Sequence, residues 1–588
     1  MANNSLWLIR SDDVEMHGRV SLHNGNEFIE IKPDKMPIAY VKMKMRTYIM
    51  YFAVCFPMLA WVTRSFSQTA VLLKTLEITH EELRLQYIPS EKNPIRLEYS
   101  EPGQPGISVL PTGSADDNLV FRLLDLSPAT VYDVMILSAE GGDTNLLSAG
   151  RFMTKSKSTG QIRVYFNNTV DNTASSVADA IWIPAMKDTI IAYISQAQNT
   201  LDICNYNTGS PEIVAAVNTA YLNGVQIRYI AAATGLTNND NLDDLDAGIP
   251  LIQRPDDGEV MHNKFIIADA GSINVSYVIT GSVNHTENSL TQDYNNLVII
   301  QDQSLALAYK LEFEEMWGSS GSQPDPGQAK FGNQKSDNTP HDFNIGGVPV
   351  ELYFSPSDGT TAQIVSEIDQ ADNDLSFAML TFINNDLGDA VIGAKNRGVN
   401  VRGIIENIYY IGSEYNGLLD AGVDVLSHFD QPFYMHHKYA VIDAQAPGSA
   451  PVVVTGSHNW TNSAEEDYDE NTLIIHDEVI ANMYFEEFTA RYEEQTSVKK
   501  TGEQNGIIGI FPNPANDYFR IELRSGIEDV TGVEVSSPDG RVLKRIPIAV
   551  QRGSVKCFSG DLHPGLYFLS VFSPLESVSD QGKIVVIR

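Results

Sequence analysis

The sequence predicts an α/β protein built on an internal duplication, with β-sandwich modules at both ends. Three observations carry that expectation. Like segments recur at one spacing in the middle of the chain; each copy alternates amphipathic helices with apolar strands; and both ends consist of short strands separated by turn formers. A chain of 588 residues is several domains long at about 150 residues each, and 43% hydrophobic residues suffice to fill their cores. Lys and Arg total 40 against 75 Asp and Glu, a net charge of −35, which disfavours wrapping of polyanions. Three cysteines, Cys55, Cys204 and Cys557, cannot build a disulfide scaffold or a four-thiolate zinc site.

From the N-terminus, the basic cluster Lys42, Lys44 and Arg46 precedes the apolar run Tyr48–Val62. Pro57 interrupts that run, which is shorter than the roughly 20 residues of a membrane span. Small residues follow at Ser65 and Ser67. The order predicts a secretory signal peptide over 43–67, with Met43 or Met45 as the start and 1–42 as a misannotated extension. Removing it leaves a more acidic chain, at −37, without Cys55. An exported bacterial protein is expected. Residues 72–155 then read as a β-sandwich, with strands around Ile95–Tyr99, Leu119–Leu124 and Val131–Ile136. Leu126, Pro128, Thr130 and Tyr132, followed by Arg151–Thr154, resemble the Tyr corner and last strand of fibronectin type III domains, implying a spacer or adhesive module.

The duplication follows from spacing. Leu201 and Leu375, Gly224 and Gly398, Gly248 and Gly422, and His262 and His436 are each 174 residues apart, and Gly281 and Gly456 are 175 apart. Phe313-Glu314-Glu315 recurs as Phe485-Glu486-Glu487. Amphipathic helices are expected at Thr189–Ala197 and Gln363–Ala371, and at Ile213–Leu222 and Leu387–Lys395 before a Gly stop. The copies occupy 160–317 and 348–497, and the Gly-, Ser-, Pro-, Asn- and Asp-rich stretch 318–347 reads as a linker. Residues 507–588 form a last β module. Its Phe511-Pro512-Asn513-Pro514-Ala515 opening, Leu562-His563-Pro564-Gly565-Leu566-Tyr567 and closing Lys583-Ile584-Val585-Val586 resemble the C-terminal sorting domain of type IX secretion.

The chemistry lies in the copies. His262-Asn263-Lys264 leads to Asp269, and His436-His437-Lys438 leads to Asp443: His-x-Lys-x4-Asp twice. Strand alternation puts His and Lys on one face. Gly281-Ser282-Val283-Asn284 and Gly456-Ser457-His458-Asn459 follow. Paired across a pseudo-twofold, the copies would converge two imidazoles, two ammonium groups and two amides on one site. That inventory suits phosphodiester cleavage: one His attacks phosphorus, the other protonates the leaving oxygen, and Lys and Asn stabilise nonbridging oxygens. The pattern lacks zinc-ligand spacing, and no metal or other cofactor is expected.

These residues resemble the phospholipase D superfamily in its two-motif form, over about 160–497. The resemblance implies two tandem phospholipase D-type repeats, with mixed sheets flanked by helices. It makes His262, Lys264, His436 and Lys438 catalytic, with Asp269 and Asp443 completing the motifs in a more structural role. Asn284 and Asn459 would hold phosphate, supported by Ser282 and Ser457. The family often has an acidic residue after this motif that orients the catalytic His. Glu470 fills it in the second copy, whereas the first has Asn295, with Asp293 two residues away. Either Asp293 takes over or His262 is less well polarised; the nucleophile is expected to be His262.

Other residues have blander readings. His437, His458 and His285 are expected to pack rather than react. The acidic run Asn238–Asp246 lacks an EF-hand pattern and reads as a solvated loop. Tyr409, Tyr410, Phe433 and Tyr434 either wall an apolar channel or pack in a core. The expected activity is a secreted phospholipase D, releasing phosphatidic acid and an alcohol through a phosphohistidine. A phospholipid at a membrane or vesicle surface is the expected substrate and the type IX secretion machinery the expected partner. Alternatives are a metal-independent extracellular nuclease, disfavoured by the acidic charge, and an inert core in an adhesion protein.

Overall fold

The helices of the duplicated region form where apolar residues recur at helical spacing, and in the second helix of each copy a side chain caps the first turn. In the computed structural model, Ser210 accepts the Ile213 N–H to start Pro211–Leu222, which buries Ile213, Val214 and Val217. Its counterpart Asn385–Arg397 is capped by Asn384 on the Leu387 N–H, buries Leu387, Val391 and Ala394, and stops at Gly398, where φ is 100°. The described residues run from 73 to 586, without 90–94, 116–117, 141–142, 234–238, 430, 447 and, in the last module, 503–506, 512–517, 524–531, 537–541, 548–553, 559–561, 564 and 573–579. The chain divides into Met1–Val71 and Leu72–Arg588. The expected extension and signal peptide lie outside the described residues.

In the first copy seven strands stand in the order Leu251–Gln253, Gln226–Ala231, Thr200–Asn205, Lys264–Ala268, Tyr277–Gly281, Asn296–Gln301 and Gln161–Phe166. The second copy has eight: Asp342–Ile345, Val348–Ser355, Glu470–Ile475, Val452–Gly456, Lys438–Ile442, Asp374–Met379, Asn400–Ile405 and Asp424–Ser427. Both sheets are mixed. Thr200–Asn205 runs parallel to Gln226–Ala231 and antiparallel to the motif strand Lys264–Ala268, and Asp374–Met379 is placed likewise. Each motif strand is therefore central, and its five residues are all buried.

The copies share one apolar core through an exchange of aromatic rings. Phe354 of the second copy packs on Tyr309 and Phe265 of the first, with centroids 5.2 and 6.5 Å away. Phe166 of the first copy packs on Tyr484 of the second at 5.1 Å, and Tyr484 on Tyr439 at 5.0 Å. Neither half buries its rings alone.

The stretch 318–347 differs from the linker that its composition predicts. Phe331, Phe343 and Ile345 are buried in the shared core. Lys335 is buried between Glu312 and Asp469, and its ammonium also donates to the Ser355 carbonyl at 2.7 Å. Burial opposes its charge, but the two carboxylates outweigh burial and raise its pKa. Widely spaced apolar anchors and a paired lysine tie the segment down, which a count of turn-forming residues does not register.

At the N-terminal side, two four-stranded antiparallel sheets form a sandwich: Leu73–Ile78, Leu83–Tyr87, Asn118–Leu123 and Gly113–Ala115 in one, Ile107–Val109, Ile95–Ser100, Val131–Glu140 and Asp143–Met153 in the other. The Ser127 N–H donates to the Tyr132 hydroxyl at 2.9 Å, closing the corner on which the Tyr motif was read. The last module also has two sheets, Ile507–Phe511, Tyr518–Leu523 and Ser554–Phe558, and Val542–Pro547, Gly532–Ser536, Gly565–Phe572 and Asp580–Val586.

Candidate active site

Each motif docks on the other copy. Met261 bridges to Asp469 and Met435 to Tyr294, both in parallel. The His262 N–H donates to the Asp469 carbonyl and the His436 N–H to the Tyr294 carbonyl, each at 3.0 Å. The histidines thus precede their strands, which begin at Lys264 and Lys438. Their imidazoles and lysines meet in one buried cluster: His262 feels both Lys264 and Lys438, and His436 feels both lysines and His262.

The residue after each histidine ties the copies together. Asn471 donates to the Asn263 amide oxygen at 2.8 Å, and Asn296 meets His437 Nδ1 at 3.2 Å. His437 also pairs with Glu487 at 3.1 Å and is 1% exposed, a packing role as expected. Asp269 accepts the N–H groups of Gln198, Asn199 and Thr200 at 2.7, 2.6 and 2.9 Å. Asp443 accepts those of Asp372, Asn373 and Asp374. The motif aspartates therefore anchor the turn before a neighbouring strand and stand at the far end from the histidines. Gly281 and Gly456 have φ of 138° and 144°, and a Cβ there would meet the Asn296 or Asn471 carbonyl at 2.5 or 2.2 Å. Only glycine lets Ser282 and Ser457 turn back toward the site.

The polarising residues are exchanged between the copies, which corrects the expectation for His262. Glu470, in the second copy, accepts from His262 Nδ1 at 2.7 Å, and its other oxygen accepts from Ser457 at 2.6 Å. Asn295, in the first copy, faces His436 Nδ1 through its amide oxygen at 2.9 Å, and Ser282 donates to that oxygen at 2.8 Å. Asp293 does not take over; its carboxylate accepts the Tyr434 N–H. His262 is the histidine with the carboxylate, because each motif docks across the pseudo-twofold rather than beside its own later strand. The two serines are engaged in this support. The amide oxygens of Asn284 and Asn459 are buried without a partner, leaving those two equivalent amides uncommitted.

Burial dominates the electrostatics. It pushes His262 down to about 4, partly opposed by Glu470, and Lys264 down to about 7. His436 and Lys438 lie well below their ordinary values, through burial first and then the neighbouring lysines, Lys438 and Lys264 on His436 and Lys264 on Lys438. Burial would raise Glu470, but His262 and Lys264 hold it low. Four basic groups around one carboxylate make an anion site: a bound phosphate would let them charge. His262 and His436 keep 8% and 9% exposure, so solvent reaches both rings.

Sequence reasoning missed Tyr206, whose ring lies 4.6 Å from that of His262 and 5.0 Å from the Lys264 ammonium. Its position 174 residues before Leu380 carries no repeated signal. His285 is buried and pushed down to about 4, by burial and then Lys264. His458 is buried; neither ring nitrogen makes a hydrogen bond, and its Nε2 lies 3.6 Å from the Glu465 carboxylate. In the acidic run, the described residues include one short turn, Leu242–Asp244. Two groups of metal-compatible side chains occur among the described residues, Asp337/His341/Asp358 and Glu351/Glu367/His476. Neither contains a motif residue, and His341 and His476 are satisfied by Asp337 and Glu351. Tyr409, Tyr410, Phe433 and Tyr434 do not pack in a core; they are exposed.

Residues 190–317 and 364–492 each match the family described as cardiolipin synthase, PLD-like domain, and 509–587 match the secretion system C-terminal sorting domain. The mitochondrial cardiolipin hydrolase of Xenopus tropicalis is 37% identical over 140 residues, 24% of this chain and 63% of that protein. A phospholipase D of Rickettsia prowazekii is 28% identical over 155 residues, 25% of this chain and 70% of its own length. A phospholipase D family member, Nuc, from Salmonella typhimurium covers 27% of this chain and 93% of its own, at 22% identity and a TM-score of 0.22. The chain spans somewhat under two thirds of the first of these relatives. The chain thus carries two PLD-like domains, whose motifs face across their junction, and a C-terminal secretion sorting domain.

Proposed function

We propose that the chain is an exported phosphodiesterase that hydrolyses the distal phosphodiester of glycerophospholipids, giving phosphatidic acid and a free alcohol. The observation that carries this is the pair of imidazoles tied at Nδ1 to acceptors from the opposite copy, which leaves both Nε2 atoms for chemistry. In the first step His262 Nε2 bonds to phosphorus, the bond to the alcohol oxygen breaks, and that oxygen takes a proton from His436 Nε2. In the second, water attacks phosphorus and gives a proton to His436, while the phosphorus–nitrogen bond breaks. Lys264, Lys438, Asn284 and Asn459 face the nonbridging oxygens as charge develops.

Lipid is favoured over nucleic acid by the loops beside His436. Tyr409, Tyr410 and Ile411 are 66, 56 and 99% exposed, and Phe429, Phe433 and Tyr434 are exposed as well. Tyr409 and Phe429 touch, with centroids 4.7 Å apart. These loops follow the parallel strands Asn400–Ile405 and Asp424–Ser427. From 403 to 437 the chain has no Lys or Arg. Aromatic rings without cations suit a lipid interface and lack the charge that a nucleic-acid groove supplies. We read the N-terminal sandwich as a fibronectin type III-like spacer, 43–67 as the export signal, and the type IX machinery as the partner of the last module.

The test incubates the exported protein, in excess chelator, with phosphatidylcholine vesicles containing ethanol and, separately, with DNA and RNA. Phosphatidic acid and phosphatidylethanol are expected. Cleaved nucleic acid with intact lipid would replace this reading by the nuclease.

A further inference from the structure

The two histidines are held by acceptors of different charge, and the asymmetry is built in rather than incidental. The Asn295 amide nitrogen donates to the Ser289 carbonyl at 2.9 Å and to the Ser289 hydroxyl at 3.1 Å, and it lies 3.3 Å from the Asp293 carbonyl. Carbonyls accept and never donate, so the nitrogen is fixed on that side and the oxygen faces His436. The Asn295 oxygen also takes the Ser282 hydroxyl. Its partner on the ring must then be a donor. Neutral His436 therefore carries its proton on Nδ1 and a lone pair on Nε2, aimed at the site.

We propose that Asn295 is a positioning residue that sets the ring and tautomer of His436 while withholding the counter-charge that Glu470 gives His262, so that the pair works in one direction and on the acid side of neutrality. The proposal rests on the phosphodiesterase reading above. Neutral His436 is ready to take the proton of attacking water. To protonate a leaving alkoxide it must first become imidazolium, and an amide oxygen does not compensate that charge as a carboxylate would.

Among the described residues, the surroundings supply no substitute. Lys438, Lys264, His262 and His437 face His436 as actual or potential cations. Glu470 is engaged by His262 and Ser457, Glu487 by His437, and Glu406 by His428 and the Met435 N–H. Asp293 accepts the Tyr434 N–H and acts on Lys438. Burial and the neighbouring lysines hold His436 well below the ordinary histidine value, as this arrangement requires.

The test compares the wild type with Asn295→Asp by two readouts. The first is the pH profile of kcat on a soluble phosphodiester with an alcohol leaving group, beside one with a nitrophenolate leaving group that needs no proton. The wild type should lose activity on the alkaline side at lower pH with the alcohol than with the nitrophenolate. Asn295→Asp should move the alcohol's alkaline midpoint up by about one pH unit or more and leave the acid limb, set by His262, in place. An unmoved alkaline midpoint in the folded variant, or a shift of the acid limb instead, overturns the proposal. The second readout is the NMR titration of the His436 ring in the full chain, assigned by its loss in His436→Gln. A raised pKa in Asn295→Asp supports the proposal even where no substrate is turned over, in which case the phosphodiesterase reading falls and this one stands. Where Asn295→Asp does not fold, Glu470→Gln serves instead: it should lower the acid-limb midpoint alone, and movement of the alkaline limb would mean the two supports are reversed.

Discussion

The two copies are nearly superposable in design and unequal in chemistry. Each provides a His, a Lys, an anchoring Asp, a Gly-Ser turn and an Asn at matching positions, and each docks its motif on the other. They differ at one support: a carboxylate, Glu470, reaches across to His262, while an amide, Asn295, reaches across to His436. In the proposed mechanism, a duplicated site assigns nucleophile and acid by changing a support behind the reacting rings. The carboxylate stabilises the charge that builds on an attacking imidazole, whereas the amide fixes a ring without that stabilisation.

The largest expected effect would break the pair. His262→Ala and His436→Ala should each reduce turnover by about 10⁴-fold or more, but only His436→Ala should retain label from a phosphodiester on an acid-labile phosphohistidine at residue 262. Label at 436 in His262→Ala would reverse the assignment. Next, the supports should be unequal: Glu470→Gln should cost about 10²-fold or more in kcat and Asn295→Ala about tenfold, with little change in KM. Equal losses would show that charge does not distinguish the two sides.

A third expectation concerns what the copies share. Asp269→Ala and Asp443→Ala each remove the charged acceptor of three buried or part-buried N–H groups, so each should lower stability by about 1–3 kcal/mol, read as a lower Tm, with activity per folded molecule retained. A variant with wild-type Tm and no activity would make that aspartate chemical. The smallest effect should come from the exposed loop at 409–411 of the second copy. Ile411→Asp should reduce turnover of phosphatidylcholine vesicles by about threefold or more and leave a soluble phosphodiester unaffected; loss on both would place the loop inside the site.

The repeat, the motif residues and the helix positions were legible because they depend on local pattern. A 174-residue offset and a Gly stop survive translation into three dimensions without knowledge of partners, whereas the strand alternation read across His and Lys does not, since each motif strand begins at its Lys and is buried on both faces. The stretch 318–347 was not legible, since Phe331, Lys335 and Phe343 find their burial in segments far away in sequence. The exposed loop at 409–411 was ambiguous for the same reason: aromatic residues look alike in sequence whether a core covers them or water does.

The sequence by itself determined that this chain holds two copies of one set of motif residues, because residue type and spacing encode those directly. Only the tertiary structure decided which support serves which histidine. Glu470 and Asn295 each lie nearer in sequence to the motif of their own copy, and the spacing therefore pairs them wrongly. The motifs cross the pseudo-twofold because each buries its backbone N–H and its aromatic neighbours against the opposite sheet, and that exchange exists only once both sheets have formed and packed.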